Sequence, residues 1–277
     1  MTPHWSDRFK AGLQYLLPKQ LLTALAWRLS TLKVRWFRLA LMRGFCRLFP
    51  VNLAEAESAQ LDHYSHFNAF FTRALKADAR PLDPSATLIS PCDGTLSQLG
   101  QLNKDRLIQA KGLDYGLGEL LGSEPLAREF VGGQFMTIYL APYDYHRVHV
   151  PAAGRLVFEQ HLPGNLFSVS AATTRVIPRL FARNERLVAM FEGEHGHFAV
   201  VMVAALMVAG IETVWSGPRR RPHQATPVLG DVELARGAEM GRFHWGSTVI
   251  VVTPPSWPNW RPELKQGRVM RLGEALT

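Results

Sequence analysis

Four short segments of the 277-residue chain carry side chains suited to chemistry. SPCDG, residues 90–94, places Asp93 before a glycine, where an Asx turn that only shapes the backbone is the commoner use. YLAPYDYHRVHVP, residues 139–151, holds His146 and His149 beside Asp144. On an uninterrupted strand those two imidazoles would point to opposite faces, whereas a turn at Asp144–Tyr145 would bring them together. EGEHGH, with Glu192, Glu194, His195 and His197, invites a metal hypothesis but lacks helical HExxH spacing and a clear distant third ligand, so no metal is expected. GRFHWGSTVIVV, residues 241–252, sets Ser247 after Gly246 at the entrance to a β-branched run. Alone, that is a turn entering a strand.

Taken together, Asp93, His149 and Ser247 form a possible orienter, base and nucleophile. A serine hydrolase is the obvious interpretation. Against it, the chain has no GxSxG elbow, and Ser247 lies only thirty residues from the C-terminus. A serine preceded by glycine at a strand entrance suits a different reaction, attack on its own upstream carbonyl at Gly246. Glycine offers no Cβ to block that approach and tolerates strained dihedrals.

These residues need a body to position them. The chain is 47% hydrophobic and 19% charged, which excludes collagen-like, coiled-coil and disordered classes and leaves one large or two small domains. AEAESAQLDHYSHFNAFFTRALK reads as one or two amphipathic helices ending in the Pro/Asp-rich linker ADARPLDPSA. From Thr87 the texture changes to short β-type runs: TLIS, GTLSQLG, RLIQA, QFMTIYLAP, RVHVPAAGRLVFEQHL, RLVAMFE, HFAVVMVAAL, GIETVW and STVIVVTP. The longest uncharged run, His195 to Ile211, is broken by Gly196 and Gly210 and reads as buried sheet. The expected fold class is α+β: N-terminal amphipathic helices over residues 1–80, then a β-rich catalytic domain over 81–277. Cys46 and Cys92 are too few and too far apart for a disulfide framework, and their presence is compatible with a reducing compartment.

The excess charge is localised. The net charge is +8, and residues 1–50 hold nine basic groups against one acid, Asp7, leaving 22 of each sign in the remainder. The same segment is apolar, with Leu22, Leu25, Leu29, Leu32, Trp36 and Leu39 at helical spacing and Pro18 suited to a first turn. No eighteen residues here run without a charge, so a transmembrane span is not expected, and no short apolar core leads to a signal-peptide cleavage site. A basic amphipathic helix with Trp and Phe fits the surface of an anionic membrane. The alternative is a helix packed on the protein's own core with solvated arginines, and Lys33 and Arg43 fall on or near the apolar side. Nucleic acid is not expected as a partner, because the arginines alternate with leucines and no binding motif follows.

The segments LQYLLPK, FNAFFTRALKADARPLD, SPCDGTLSQLG, QAKG, YLAPYDYHRVHVPAAG, LPGNLFSVS, LFARNERLVAMFE, GIETVW and EMGRFHWGSTVIV occur in this order. In that combination, above all PxDG, YHRVH and GST, the sequence resembles the phosphatidylserine decarboxylases of the bacterial membrane-associated type over nearly its whole length. The resemblance implies a zymogen, a pyruvoyl-dependent carboxy-lyase of phospholipid biosynthesis. Ser247 would attack the preceding carbonyl, the chain would split between Gly246 and Ser247 into a β chain (1–246) and an α chain (247–277), and Ser247 would become the pyruvoyl group. Asp93 and His149 match the relay that activates the serine, and His146 matches the histidine implicated in decarboxylation. The pyruvoyl group would form a Schiff base with phosphatidylserine, release CO2 and give phosphatidylethanolamine, with no metal and no pyridoxal phosphate.

The partners implied are phosphatidylserine in the bilayer, the membrane surface through residues 1–50, and the two chains of the molecule as a heterodimer, with further dimerisation left open. The implied location is peripheral, on the cytoplasmic face of the inner membrane. Three features depart from the family pattern. Trp245 stands where a smaller aliphatic is common, Cys92 replaces the usual Ala or Val, and SGPRRRPHQATPVLGD (216–231) is shorter than the loop of some relatives.

Overall fold

A computed structural model describes residues 5–110, 112–206, 210–219, 226–227, 232–244 and 246–277. Trp245 and most of 216–231, both singled out above, lie outside the described residues. Three helices open the chain: α1 (Trp5–Leu16), α2 (Lys19–Ser30) and α3 (Arg35–Leu48). Pro18 is the residue before α2, where its missing N–H costs no helical hydrogen bond. The apolar spacing noted above continues across a break at 31–34, and it does not mark a buried face. Leu25, Leu29, Leu32 and Trp36 are exposed, and Leu39 alone of the six is buried.

After Pro50 the sequence forms far less helix than its pattern suggests. Only a 3-10 turn at Leu61–His63 and the short α4 (Phe67–Phe71) appear. Residues 55–57 instead return against 74–76, with an Ala56–Leu75 bridge and backbone bonds from Glu57 N to Ala74 O and Lys76 N to Glu55 O. The four remaining helices are one-turn connectors: α5 (Leu117–Leu121), α6 (Glu124–Arg128), α7 (Ala171–Thr174) and α8 (Leu180–Arg183).

The strands are β1 (Gly94–Gln101), β2 (Arg106–Ala110), β3 (Leu113–Gly116), β4 (Gln134–Leu140) and β5 (Arg147–His149). They continue as β6 (Gly154–Leu162), β7 (Arg186–Gly193), β8 (Gly196–Val203), β9 (Ile211–Thr213) and β10 (Gly217–Arg219). The last are β11 (Thr226–Pro227), β12 (Glu233–Leu234), β13 (Glu239–Phe243), β14 (Ser247–Thr253) and β15 (Val269–Met270). A nine-stranded antiparallel sheet runs β11-β6-β7-β8-β14-β4-β1-β15, with β12 also on β6, and a four-stranded sheet runs β10-β9-β13-β5. The expected α+β architecture is therefore present.

Two runs differ from the sequence pattern. TLIS forms only an Ile89–Ala275 bridge, and RVHVPAAGRLVFEQHL is not one strand, because it divides at Pro151 into β5 and β6 of different sheets.

The central strand β14 is buried along its whole length, between β8 and β4. That is why STVIVVT lacks polar alternation: both of its faces meet core. The topology then brings two chain crossings together. β4 leaves the large sheet through 141–146 to become β5 of the small one, while β13, paired with β5, is followed in the chain by β14, paired with β4. Phe243 N donates to His146 O across the crossing at 3.0 Å, and Ser247 stands opposite Leu140.

Candidate active site

Ser247 is the first residue of β14 and is wholly buried. Its Oγ has no hydrogen-bond partner among the described residues. An unpaired buried hydroxyl costs about 1–3 kcal/mol, and such groups persist where reactivity requires them. The preceding Gly246 is not held glycine by packing, since a Cβ there would meet only Leu140 O, at 3.7 Å. Gly94 is different: a Cβ would collide with the Tyr139 carbonyl, so the glycine of SPCDG allows β1 to approach β4 closely.

His146 lies in the 141–146 crossing, wholly buried, with its ring stacked on Phe71 at 4.1 Å. Its Nε2 is 3.4 Å from Pro142 O, and a carbonyl only accepts, so Nε2 carries the proton. The Nδ1 lone pair therefore stays bare, with no partner among the described residues. Burial, reinforced by the Arg73 cation, lowers the His146 pKa to about 3, and the ring is neutral at pH 7. The folded value is thus depressed below the unfolded one of 6.5, so its contribution to stability is intact above pH 6.5 and is lost as pH falls towards 3. The contribution of this one ring is about 1.4 kcal/mol per pH unit below 6.5, read from denaturant melts as the difference between His146 and a variant without it. His146→Asn should flatten that part of the slope; an unchanged slope would contradict it.

His149, at the end of β5, makes other contacts. Its Nδ1–H donates to Gly237 O at 2.8 Å, which leaves Nε2 as the acceptor facing the Tyr145 hydroxyl at 3.1 Å. Burial pushes its pKa down, opposed by the bond to Gly237 and the charges of Glu239 and Asp93. The turn at Asp144–Tyr145 thus does not unite the two imidazoles on one partner.

Asp93 is buried, and its carboxylate is engaged by Arg80 Nε at 2.9 Å, Arg80 Nη2 at 2.6 Å and the Leu272 N–H at 2.9 Å. Arg80 Nη2 also reaches Glu55 at 2.8 Å. Asp93 and His149 are joined only indirectly: His149 N donates to Pro91 O, and Asp93 and Tyr145 line one cavity of about 150 Å³. Tyr145, Arg80 and Arg73 are members of the site that residue type and spacing did not single out; the one available signal was their nearness to SPCDG and YHRVH. Arg73, from FNAFFTR, is buried with one bond to Tyr143 O, and its Nε and Nη1 have no partner among the described residues.

A second cavity of about 250 Å³ reaches Gly246 between Phe45, Phe49, Tyr139, Pro142, Ser168, Val169, Ala205 and Leu206. It shares Phe45 with an apolar groove of about 310 Å³ between α3 and α4, lined by Phe37, Ala40, Leu41, Gly44, Leu48 and Phe67. EGEHGH sits at the β7–β8 turn, where Arg155 pairs with Glu192 and His197 with Glu129. No group of three metal-ligating side chains occurs among the described residues.

Comparison with known proteins places these features. The phosphatidylserine decarboxylase family matches residues 67–277, and a second family, described as PSD, matches residues 9–50. The chain is 47% identical over 272 residues to the phosphatidylserine decarboxylase proenzyme of Pseudomonas fluorescens, covering 95% of this chain and 94% of that protein. It is 49% identical over 271 residues to that of Nitrosococcus oceani, covering 95% and 89%, and 47% identical to that of Pseudomonas entomophila. Fold, site and relatives together define a decarboxylase, a lyase. The chain belongs to the phosphatidylserine decarboxylase family. A serine hydrolase is not favoured.

Proposed function

We propose that the chain is a proenzyme that splits itself between Gly246 and Ser247 and carries a pyruvoyl group made from Ser247. The observation that carries this is the buried Ser247 Oγ, unpaired and following a glycine that packing does not require. Ser247 Oγ adds to the Gly246 carbonyl carbon as its proton passes to His149. The C–N bond breaks, the nitrogen takes up a proton, and an ester joins the two segments. Loss of the Ser247 Cα proton then breaks the Cβ–O bond and expels Gly246 as a carboxylate. The dehydroalanine left at position 247 tautomerises, takes up water and releases ammonia. One water is consumed and one ammonia released in all.

The resulting ketone, conjugated to an amide carbonyl, supplies an electron sink for the carbanion left by CO2. The surrounding residues fit it: a pocket floored largely by apolar side chains, and His146, whose Nε2–H gives a proton to that carbanion while its bare Nδ1 takes up a replacement. Phosphatidylserine is the substrate and phosphatidylethanolamine the product, with the 1–246 and 247–277 chains remaining together as a heterodimer.

The enzyme sits peripherally on the cytoplasmic face of the inner membrane. Trp5 (72% exposed), Phe9, Leu16, Leu21, Trp36 and Leu48 are exposed apolar side chains on the three opening helices, in the segment that carries the excess basic groups, which supports a membrane surface as their neighbour. No described helix is long and apolar enough to cross a membrane. Each favourably placed Lys or Arg adds roughly 1 kcal/mol on an anionic bilayer. The groove on α3 and the cavity at Gly246 share Phe45, which makes the groove the proposed approach of the lipid.

Intact mass measurement of the purified protein under denaturing conditions tests the cleavage. Two chains are expected, the smaller starting at 247 and lighter by one ammonia than its serine-ended form. One unbroken chain of 31.1 kDa would overturn it.

A further inference from the structure

His244 lies two residues before the scissile carbonyl and is buried, yet residue type alone gave it no role. Three elements hold its ring. Asn68 Nδ2 of α4 is 2.9 Å from Nδ1, Glu212 Oε2 of β9 is 3.1 Å from Nε2, and the Trp27 ring of α2 meets it edge-on at 5.2 Å. With Asn68 donating to Nδ1 the ring proton lies on Nε2, which faces the Glu212 carboxylate as an electrostatic contact outside hydrogen-bond geometry. Its backbone N–H adds a bond to Gly210 O at 3.3 Å.

The helix that grips His244 also grips the other crossing. Asn68 and Phe71 are three apart on α4, hence neighbours on one face, and Phe71 is the residue stacked on His146. Helix α4 therefore fixes where His244 lies relative to His146, and it is itself cradled by α3 through Phe45, which packs on Phe67, Phe70 and Phe71. Attack of a hydroxyl on a neighbouring carbonyl tolerates little displacement; a misplacement of about 1 Å can cost a hundredfold.

We infer that His244 is a positioning residue for self-cleavage, fixing the Gly246 carbonyl through an Asn68–His244–Glu212 clamp. The inference rests on the cleavage proposed above. It is tested by pulse-labelling newly made chains and timing their conversion to two, alongside melting temperature and turnover per processed chain. His244→Ala is expected to slow conversion roughly ten- to a hundredfold, with turnover of the chains that do mature unchanged. His244→Gln, whose amide nitrogen can still reach Glu212, should recover to within about threefold of wild type, which a mere loss of packing would not allow. Asn68→Ala should slow conversion, and the double variant should be no slower than His244→Ala, because the two residues act through one contact.

Conversion of His244→Ala at the wild-type rate, or effects that multiply in the double variant, would overturn the clamp. If the alanine chain is insoluble, His244→Gln and Asn68→Ala decide: Asn68→Ala maturing at the wild-type rate overturns it. A wild-type chain that stays whole would remove the cleavage itself, whereas a wild-type chain that splits beside an unaffected His244→Ala removes only the clamp.

Discussion

A Ser247→Ala chain is expected to remain a single species of 31.1 kDa and to decarboxylate no lipid, a loss of at least roughly a thousandfold, since the proposed reaction begins with the Ser247 hydroxyl. Thr248 is the nearest hydroxyl and is also buried, but successive residues of β14 point to opposite faces. The same substitution removes a buried hydroxyl that has no partner among the described residues, so its melting temperature should equal or exceed that of newly made, unprocessed wild-type chain. Lost activity in a chain of undiminished stability separates a chemical role from a structural one, and it is the pattern expected where a reactive group is kept at some cost to stability. Electrophoresis, calorimetry and a phosphatidylserine assay on the two chains make the comparison. Splitting and lipid decarboxylation by Ser247→Ala would sink the assignment.

The candidate groups are legible in the sequence because chemistry constrains residue type locally: Asp before Gly, two histidines after a strand, Ser after Gly at a β-branched run. The fold class was legible for a similar reason, since STVIVVT and QFMTIYL have too little polarity to be anything but buried strands. What failed was length and long-range pairing. AEAESAQLDHYSHFNAFFTRALK has helical periodicity, yet residues 55–57 gain more by bonding to 74–76, a contact no local window contains. RVHVPAAGRLVFEQHL reads as one strand because its two halves are both β-rich; that they enter different sheets is decided by β13 and β7, far along the chain.

The apolar stripe of residues 22–39 has the spacing of a core face, but most of it is exposed, and composition could not choose between a solvent, membrane or core neighbour. The site was legible as members and not as contacts. Residue type puts Asp93 in one set with His149, but it does not reveal that the carboxylate is held by Arg80, thirteen residues upstream in the Pro/Asp-rich linker.

That contact shapes the second large effect, Asp93→Asn. The asparagine oxygen still accepts from Leu272 N–H, but the charge facing Arg80 is gone, and Arg80 is left with Glu55. Breaking a buried ion pair from one side costs about 3 kcal/mol or more, so the variant should melt earlier in denaturant. Self-cleavage should also slow in the chains that remain folded, roughly ten- to a hundredfold, for an electrostatic reason. When His149 takes the Ser247 proton it becomes a cation in a buried place, and the Asp93 charge favours that cation although no bond joins the two. Tyr145 spans the gap, with its hydroxyl on His149 Nε2 and its ring lining the cavity that Asp93 lines, and burial raises its pKa to about 12, so it stays a neutral donor. Tyr145→Phe therefore separates the two contributions, since it severs this link while leaving Arg80, Glu55 and Asp93 together. It should slow cleavage with little loss of stability, whereas Asp93→Asn should lose both. Folded Asp93→Asn chains that split at the wild-type rate would confine Asp93 to holding Arg80 and the Leu272 turn, and would leave His149 to act without it.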